Sequence, residues 1–266
     1  MDKRNIEHRT SNAQHRLRDA LFGVQCSMFD VRCLFFFFVL FFTTSVFAQA
    51  EPQTGNEIAE QLRTMQPGGN TEISGKLIIN EQKKIPVVCK IVTNECSWKV
   101  IYETHPSAKI PNEKFVSVHS LDGPNKYFLS RGTNEPKPLD AKQIAVPFAG
   151  SDFWLSELGF DFLHWPLQKK LPGQMRLGQP CYVLESINPD ALVVVRMKSF
   201  IDKESGGILV AEGYDRNHRK VKEFSLAGSS FKKVNGQWQL KKMTIRSPQA
   251  DSETVLEFDL QQEAGK

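Results

Sequence analysis

The most informative part of this chain for its fold is residues 150–171, GSDFWLSELGFDFLHWPLQKKL. It is an aromatic segment that begins like a helix, and the sequence around it alternates like a series of strands. Ser151 and Asp152 are predicted N-cap residues, and Asp152 adds negative charge to the first helical turn. The helix is predicted to run to Leu158 and to end at Gly159, since glycine suits the position that follows a helix. A segment of this kind is expected to cover a sheet.

Eight large apolar side chains lie close together in this stretch, and burying each one stabilises the fold by about 1.5–3 kcal/mol. They are Phe153, Trp154, Leu155, Leu158, Phe160, Phe162, Leu163 and Trp165. We predict that these residues form the lid of a hydrophobic cavity and contact a ligand there. The alternative is that they fill the core of a curled sheet, since aromatic clusters are more often core than pocket.

The sequence on both sides of this segment alternates with a period of two, which predicts β-strands. About eleven strands are expected, and the connections between them are too short for parallel pairing, so neighbouring strands are antiparallel. A sheet of that length must curl or close. Asn235-Gly236 is the strongest hairpin signal, and a phase slip between Leu240 and Met243 predicts a bulge. Residues 191–200 are predicted to form one strand.

A short amphipathic helix is predicted ahead of the strands, over residues 56–65. Ile58, Leu62 and Met65 fall on one face of this helix, and Pro67 and the glycines after it end it. The helix is therefore expected to pack on the sheet.

Residues 1–50 are predicted to be a signal peptide that is removed on export. The apolar run LFFFFVLFF at residues 34–42 is followed by small residues, and AQA at residues 48–50 fits the cleavage pattern. The run is shorter than the roughly 20 residues needed to span a bilayer. A retained N-terminal membrane anchor is the minority alternative.

The remaining residues, 51–266, are predicted to form a single domain with a sizeable core. Met28 is an alternative to Met1 as the start of the chain, because it lies at a more usual distance from the apolar run. The net charge is +4 over the whole chain and +2 after residue 50. Since this balance is too even for a nucleic-acid partner, none is expected.

No residue is predicted to be catalytic, and no metal or cofactor is expected. The HExxH, CxxC and GxSxG patterns are absent from the sequence. Ser151, Asp152 and His164 could be written as a hydrolytic triad, but a helix cap and an imidazole between aromatic rings explain them better. Cys89 and Cys96 lie on neighbouring predicted strands, where a disulfide bridge and free thiols are both open.

The segment PFAGSDFWLSEL, residues 147–158, resembles the GSD-F-x-x-x-[DE]-L signature of the outer-membrane lipoprotein-sorting family, the LolA-like proteins. The matching positions are Gly150, Ser151, Asp152, Phe153, Glu157 and Leu158. The strands CYVLESINP (residues 181–189) and NGQWQLKKMTIRSPQADSETVLEFD (residues 235–259) are also similar to that family's later strands. The resemblance covers most of residues 69–259.

This resemblance implies a mainly β (α+β) fold, an unclosed antiparallel β-barrel with helices lying across its concave face. It also implies a periplasmic, non-enzymatic carrier that holds lipoprotein acyl chains or another lipid between the curved sheet and the helical lid. Envelope membrane proteins are expected as further partners. The alternative function is an envelope sensor or interaction module on the same half-barrel, with a filled core and no lipid transfer.

Overall fold

The computed structural model describes residues 52, 54–67, 69–105, 112–121, 123–226, 230–234 and 237–260. The predicted signal peptide, residues 1–50, and the predicted turn at Asn235-Gly236 lie outside these residues. Fifteen strands form in the described part of the chain. They are β1 (Thr71–Ile79), β2 (Lys83–Thr93), β3 (Ser97–Thr104), β4 (Glu113–Ser120), β5 (Lys126–Arg131), β6 (Lys137–Leu139), β7 (Leu167–Arg176), β8 (Gln179–Ile187), β9 (Arg196–Asp202), β10 (Ile208–Tyr214), β11 (Lys220–Ser225), β12 (Phe231–Val234), β13 (Gln237–Leu240), β14 (Lys242–Ser247) and β15 (Ser252–Phe258).

Thirteen of these strands form one antiparallel sheet in the order β6-β5-β4-β3-β2-β1-β15-β14-β11-β10-β9-β8-β7. The last strand pairs with the first, but β6 and β7 remain as edges, so the sheet is not closed. The predicted fold class is therefore confirmed. The strand count exceeds the expected eleven or so for two reasons. The short β6 and the strand β7, which follows the aromatic segment directly, do not stand out in the sequence, and one predicted strand divides into β13 and β14.

The helical elements are α1 (Gly55–Thr64), α2 (Leu155–Leu158) and a 3₁₀ helix (Asp161–His164). None of the helices in the described part of the chain has the length and apolar character that crossing a membrane requires. The predicted helix over residues 56–65 is confirmed as α1. Its N-cap, Thr54, forms a capping box with Glu57, an arrangement that satisfies two backbone N–H groups at the helix start.

The concave face of the sheet carries the core. Residues opposite each other in an antiparallel sheet point to the same side, and Cys89, Tyr102 and Phe115 form one such buried row across β2, β3 and β4. The aromatic segment, residues 150–165, lies on this face and is called the lid below. The lid and α1 thus bury the apolar side of the sheet.

Two apolar clusters share the concave face. The first contains the strand residues of β1–β5, β14 and β15 together with Phe153, Leu155 and Leu158 of the lid. The second contains residues of β8–β11 together with α1 and with Phe162 and Leu163 of the lid. The fully buried residues in the first half of the lid therefore belong to one cluster and those in its second half to the other.

Helix α1 lies very close to the edge strand β7. A Cβ atom added at Gly55 would lie 2.6 Å from the backbone of Gln168, so only glycine fits there. Ile58, Ala59 and Leu62 are buried in the second cluster.

The predicted bulge between Leu240 and Met243 is wrong, because the strand is broken there. Strand β13 ends at Leu240 and pairs only with β12, whereas β14 begins at Lys242 and belongs to the large sheet. The backbone N–H of Lys241 donates to the Ser230 carbonyl. The phase slip thus marks the change from one sheet to the other.

The predicted strand over residues 191–200 is partly wrong, because β9 begins only at Arg196. The residues before it form a loop in which Leu192 and Val193 are exposed, at 62% and 42%. The apolar run and its β-branched valines favour a strand by propensity, but these residues do not pair with a neighbouring strand.

The three cysteines of the described residues are free thiols. Cys89 is buried opposite Tyr102, and burial raises the pKa of its thiol, whereas Cys96 is exposed in the β2–β3 turn. The structure therefore decides the open question in favour of unbridged cysteines.

Candidate functional site

All eight apolar residues predicted for the lid are wholly or partly buried in the two apolar clusters. Phe153, Leu155, Leu158, Phe162 and Leu163 are at most 5% exposed. Trp154, Phe160 and Trp165 are half-buried and pack against the second cluster, and Phe160 packs against the first cluster as well. Phe160 of the lid and Phe224 of β11 therefore both join the two halves of the core.

The start of the lid is fixed to the sheet by Asp152. Its carboxylate accepts hydrogen bonds from Ser252 Oγ at 2.5 Å and from Thr254 Oγ1 at 2.8 Å, both on β15. The Asp152 backbone N–H donates to the same Thr254 oxygen at 3.0 Å. Gly150 precedes this anchor with a φ of +71°, a left-handed conformation that favours glycine.

The prediction that Ser151 and Asp152 cap the helix is wrong. The N-cap of α2 is Trp154, and the Glu157 carboxylate accepts the N–H of Trp154 at 2.9 Å. Trp154 itself has extended backbone angles and forms an isolated bridge with Pro147, while the residues between the two form a turn. Ser151 instead accepts the backbone N–H of Phe153 through its hydroxyl group.

A buried ion pair lies beneath α2. The Lys222 ammonium group on β11 contacts the Glu157 carboxylate at 3.0 Å, and the two side chains are 6% and 13% exposed. The ammonium group also donates to the Asp152 carbonyl at 2.6 Å and lies 3.8 Å from the centre of the Trp154 ring. Lys222 thus contacts three residues of the lid.

Burial and pairing shift the pKa values of Glu157 and Lys222 in opposite directions. Burial raises the pKa of the Glu157 carboxyl, and the Lys222 charge partly opposes that rise. Burial also lowers the pKa of the Lys222 ammonium, and Glu157 opposes that change. The pair is thus held in a desolvated position at some cost in free energy.

Lys222 was missed in the sequence because it is remote from the lid along the chain. One signal was available. Lys222 lies two residues before Phe224, so both side chains point to the same, concave face of β11.

A small apolar cavity, called the inner cavity, lies between the lid and the middle of the concave face. Its volume is about 30 Å³, which is room for one or two water molecules. It is lined by Phe153, Glu157, Leu158, Phe160, Phe162, Met197, Ile208, Ala211, Lys222, Phe224, Met243 and Ile245. The Glu157–Lys222 pair is the polar part of a lining that is otherwise apolar.

A second cavity, called the basic cavity, lies on the other side of Phe160 and has a volume of about 20 Å³. Its lining includes Arg63 of α1, His119 of β4 and His164 of the lid. The His119 ring stacks on Trp98 with 5.0 Å between ring centres.

Both imidazoles of the basic cavity are kept neutral. Burial and the nearby His164 lower the pKa of His119 to about 3. Burial and the Arg63 charge lower the pKa of His164 to about 4.

A third cavity, called the outer cavity, has a volume of about 180 Å³ and lies on the side of the lid that carries Trp154 and Trp165. It shares Glu157, Phe162 and Met197 with the inner cavity. The exposed loop with Leu192 and Val193 forms part of its rim. The outer cavity therefore adjoins the inner one through these shared side chains.

The residues of the rejected triad are not arranged for hydrolysis. The Asp152 carboxylate is engaged with Ser252 and Thr254 at the start of the lid. His164 lies at the end of the lid with the basic side chains of α1 and β4. No group of three or more His, Cys, Asp or Glu side chains in the described residues is placed to hold a metal ion.

Comparison with known proteins agrees with this geometry. A family model described as an uncharacterised protein matches residues 99–262, more than half of the chain. The protein belongs to this family, and its fold is that of the LolA-like half-barrels. No curated protein sequence matches the chain.

Several solved structures share the fold. A putative outer membrane lipoprotein-sorting protein domain from Vibrio parahaemolyticus has a TM-score of 0.63 at 21% identity, over 80% of this chain and 93% of that one. A DUF1329 family protein from Desulfovibrio piger has a TM-score of 0.61 at 15% identity, with the same coverage. A LolA superfamily protein from Nitrosomonas europaea has a TM-score of 0.50 at 12% identity, over 79% of this chain and 93% of that one.

Proposed function

We propose that the protein is a non-enzymatic carrier that holds the acyl chain of a lipoprotein or of another lipid between the lid and the concave sheet. The observation that carries this proposal is the inner cavity, which is almost wholly apolar and is enclosed by lid residues and by strands β9, β10, β11 and β14. Each buried CH₂ group of a chain would contribute about 0.8 kcal/mol. Binding would therefore need no covalent chemistry.

The inner cavity must enlarge to take such a chain, because about 30 Å³ is far smaller than an acyl chain. The lid is held by polar contacts of Asp152 and Glu157 near its start and by hydrogen bonds to its Gly159 and Leu163 carbonyls farther along. We propose that the lid moves away from the sheet when these contacts open. We propose that the aromatic residues of the lid fill the binding space when no ligand is present. In that state the lid residues form part of the hydrophobic core. The aromatic segment would then be core without a ligand and the lid of a cavity with one.

We further propose that residues 1–50 direct export, that residues 51–266 form one domain, and that the protein works in the periplasm. The likeness to the lipoprotein-sorting domain supports this location. An envelope membrane protein would supply or receive the ligand.

The test of the carrier function fills the inner cavity from the sheet side. Ala211 on β10 lines the cavity and is 4% exposed. In the Ala211→Leu variant the larger side chain takes the space meant for the ligand, so we expect affinity for a fluorescent fatty acid to fall about tenfold or more. The measurement is a binding titration on delipidated protein, with folding checked by circular dichroism.

The Ala250→Leu variant is the matched control, because Ala250 is exposed in the β14–β15 turn. It should bind like the wild type. Unchanged binding by folded Ala211→Leu would show that the ligand lies elsewhere.

The second candidate function is an envelope interaction module. It is favoured by the exposed Leu192 and Val193 at the rim of the outer cavity, which a partner protein could cover. Protein that is free of lipid after purification and that takes up no fatty acid would support this alternative.

A further inference from the structure

The three cavities adjoin one another through two phenylalanine rings. Phe160 lines both the basic and the inner cavity, and Phe162 lines both the inner and the outer cavity. The two rings meet edge to face, with 6.1 Å between their centres. Rotation of these rings would join the separate spaces into one channel beneath the lid.

The end of this channel at the basic cavity is rich in hydrogen-bond donors. Its polar lining residues are Arg63, His119, Asn125 and His164, and no carboxylate is among the described residues that line it. Arg63 brings a positively charged guanidinium group with five N–H donors, and each neutral imidazole has one N–H to donate. This end therefore suits an anion.

The donors are held in place by the surrounding structure. The Arg63 guanidinium donates to the Leu163 carbonyl at 2.8 Å, which fixes it beside the lid. His119 is held by Ser117 Oγ at 2.9 Å from its Nε2 atom. Asn125 donates to the Gly159 carbonyl at 2.9 Å, immediately before Phe160.

Phe160 is placed to act as the movable ring between the basic and the inner cavity. Its φ of +52° is left-handed, a conformation that is strained for a non-glycine residue. A change at this residue would relieve strain while it opened the way between the two cavities.

We propose that the basic cavity binds the anionic head, a carboxylate or phosphate, of a single-chain amphiphile whose apolar chain passes Phe160 into the inner cavity. This inference rests on the proposed carrier function and specifies the class of its ligand. Arg63 supplies the positive charge, and the His164 imidazole supplies a further N–H donor. The chain replaces the Phe160 and Phe162 rings beneath the lid.

The test compares amphiphiles that share one chain and differ in the head. Delipidated protein, purified from the envelope of expressing cells, is titrated with oleate, oleoyl lysophosphatidate, oleyl alcohol and oleylamine below their micelle concentrations. Charged hydrogen bonds should make at least one anionic ligand bind about tenfold to a hundredfold more tightly than the alcohol. The preference between oleate and the lysophosphatidate identifies the carboxylate or the phosphate as the natural head.

Substitution of Arg63 tests its role. Arg63→Gln should remove most of this preference and leave the affinity for oleyl alcohol nearly unchanged, whereas Arg63→Lys should retain much of it. A merely structural role of Arg63 would instead weaken all four ligands equally. Lys99→Gln is the matched control, because Lys99 is exposed on the opposite face of β3 and should keep the full preference.

The results of these titrations distinguish the proposal of an anionic head from the proposal of a carrier function. Tight binding of all four amphiphiles without preference would overturn the anionic head and leave the carrier function intact. A preference that persists in folded Arg63→Gln would overturn the assignment of the head to the basic cavity. The absence of binding by any of the four would overturn the carrier function itself.

Discussion

Lys222 is the single residue on which the position of the lid depends most. Its ammonium group donates to the Glu157 carboxylate and to the Asp152 carbonyl, and it also lies against the Trp154 ring. An unpaired charge in this place would be costly, because both side chains of the pair are nearly inaccessible to water. The pair therefore makes the closed lid dependent on both partners.

Replacement of Lys222 by Met should lower the free energy of unfolding by about 3–5 kcal/mol, since Glu157 is left buried without its partner. The double variant Lys222→Met with Glu157→Gln should recover most of this loss, because no isolated charge remains. Urea denaturation followed by tryptophan fluorescence measures both effects.

Lys220→Met is the matched control for this experiment. Lys220 lies on the same strand but is 37% exposed; it pairs with Glu223 and lies 3.7 Å from Glu212, which keeps Arg176 as a partner when Lys220 is replaced. Its replacement should cost about 1 kcal/mol or less. A loss in Lys222→Met no larger than that of the control would contradict the role of the buried pair.

At the scale of the element, the lid is anchored by its first residues. Asp152 holds the chain to β15 through two hydroxyl groups, and the Thr254 hydroxyl serves both the carboxylate and the backbone N–H of Asp152. Of the signature residues Gly150, Ser151 and Asp152, it is Asp152 that fastens the lid to the sheet, while Ser151 bonds locally to Phe148 and Phe153. The signature residues position the lining residues without lining the inner cavity themselves.

Replacement of Thr254 by Val keeps the shape of the side chain and removes the hydroxyl group. Two polar groups of Asp152 then lose a partner, so we expect a loss of about 1–3 kcal/mol in stability and faster exchange of the lid amides. Hydrogen exchange read by mass spectrometry measures this for residues 150–165. Thr244→Val on β14, half-buried on the opposite face of the sheet, should leave the lid protected. Equal lid exchange in the two variants would show that Asp152 is not the anchor.

The burial of the aromatic segment can be predicted from the sequence, whereas its anchorage to the sheet cannot. The eight apolar residues identify a buried segment because so much apolar surface cannot remain in water. The function of Asp152 was misjudged, because helix-cap preference is a local rule and its true partners, Ser252 and Thr254, lie 100 and 102 residues away. Such partners become visible only when the sheet brings β15 beneath the lid.

At the scale of the whole molecule, alternation and short connections are sufficient to predict a long antiparallel sheet. They do not predict where a strand leaves one sheet for another, as at Leu240, because both halves alternate normally. Propensity also misleads at Leu192 and Val193, since these residues are exposed in a loop. The position of the cavities depends on packing across the sheet and is not encoded in any short stretch.

The half-barrel as a whole has the shape of a shallow container. The large sheet supplies a curved apolar floor, and the lid covers the middle of that floor. We propose that an acyl chain enters the space beneath the lid and lies beside the side chains of β9 and β14.

Two buried methionines can show whether the acyl chain binds in this space. Met197 and Met243 line the inner cavity and are buried, whereas Met175 is 65% exposed near the tip of the β7–β8 hairpin. The measurement is an NMR spectrum of protein labelled with ¹³C at the methionine methyl groups, recorded with a stearic acid that carries a nitroxide on its chain. We expect the Met197 and Met243 signals to broaden strongly and the Met175 signal to persist. Bound ligand that broadens Met175 and leaves Met197 and Met243 unchanged would contradict the account.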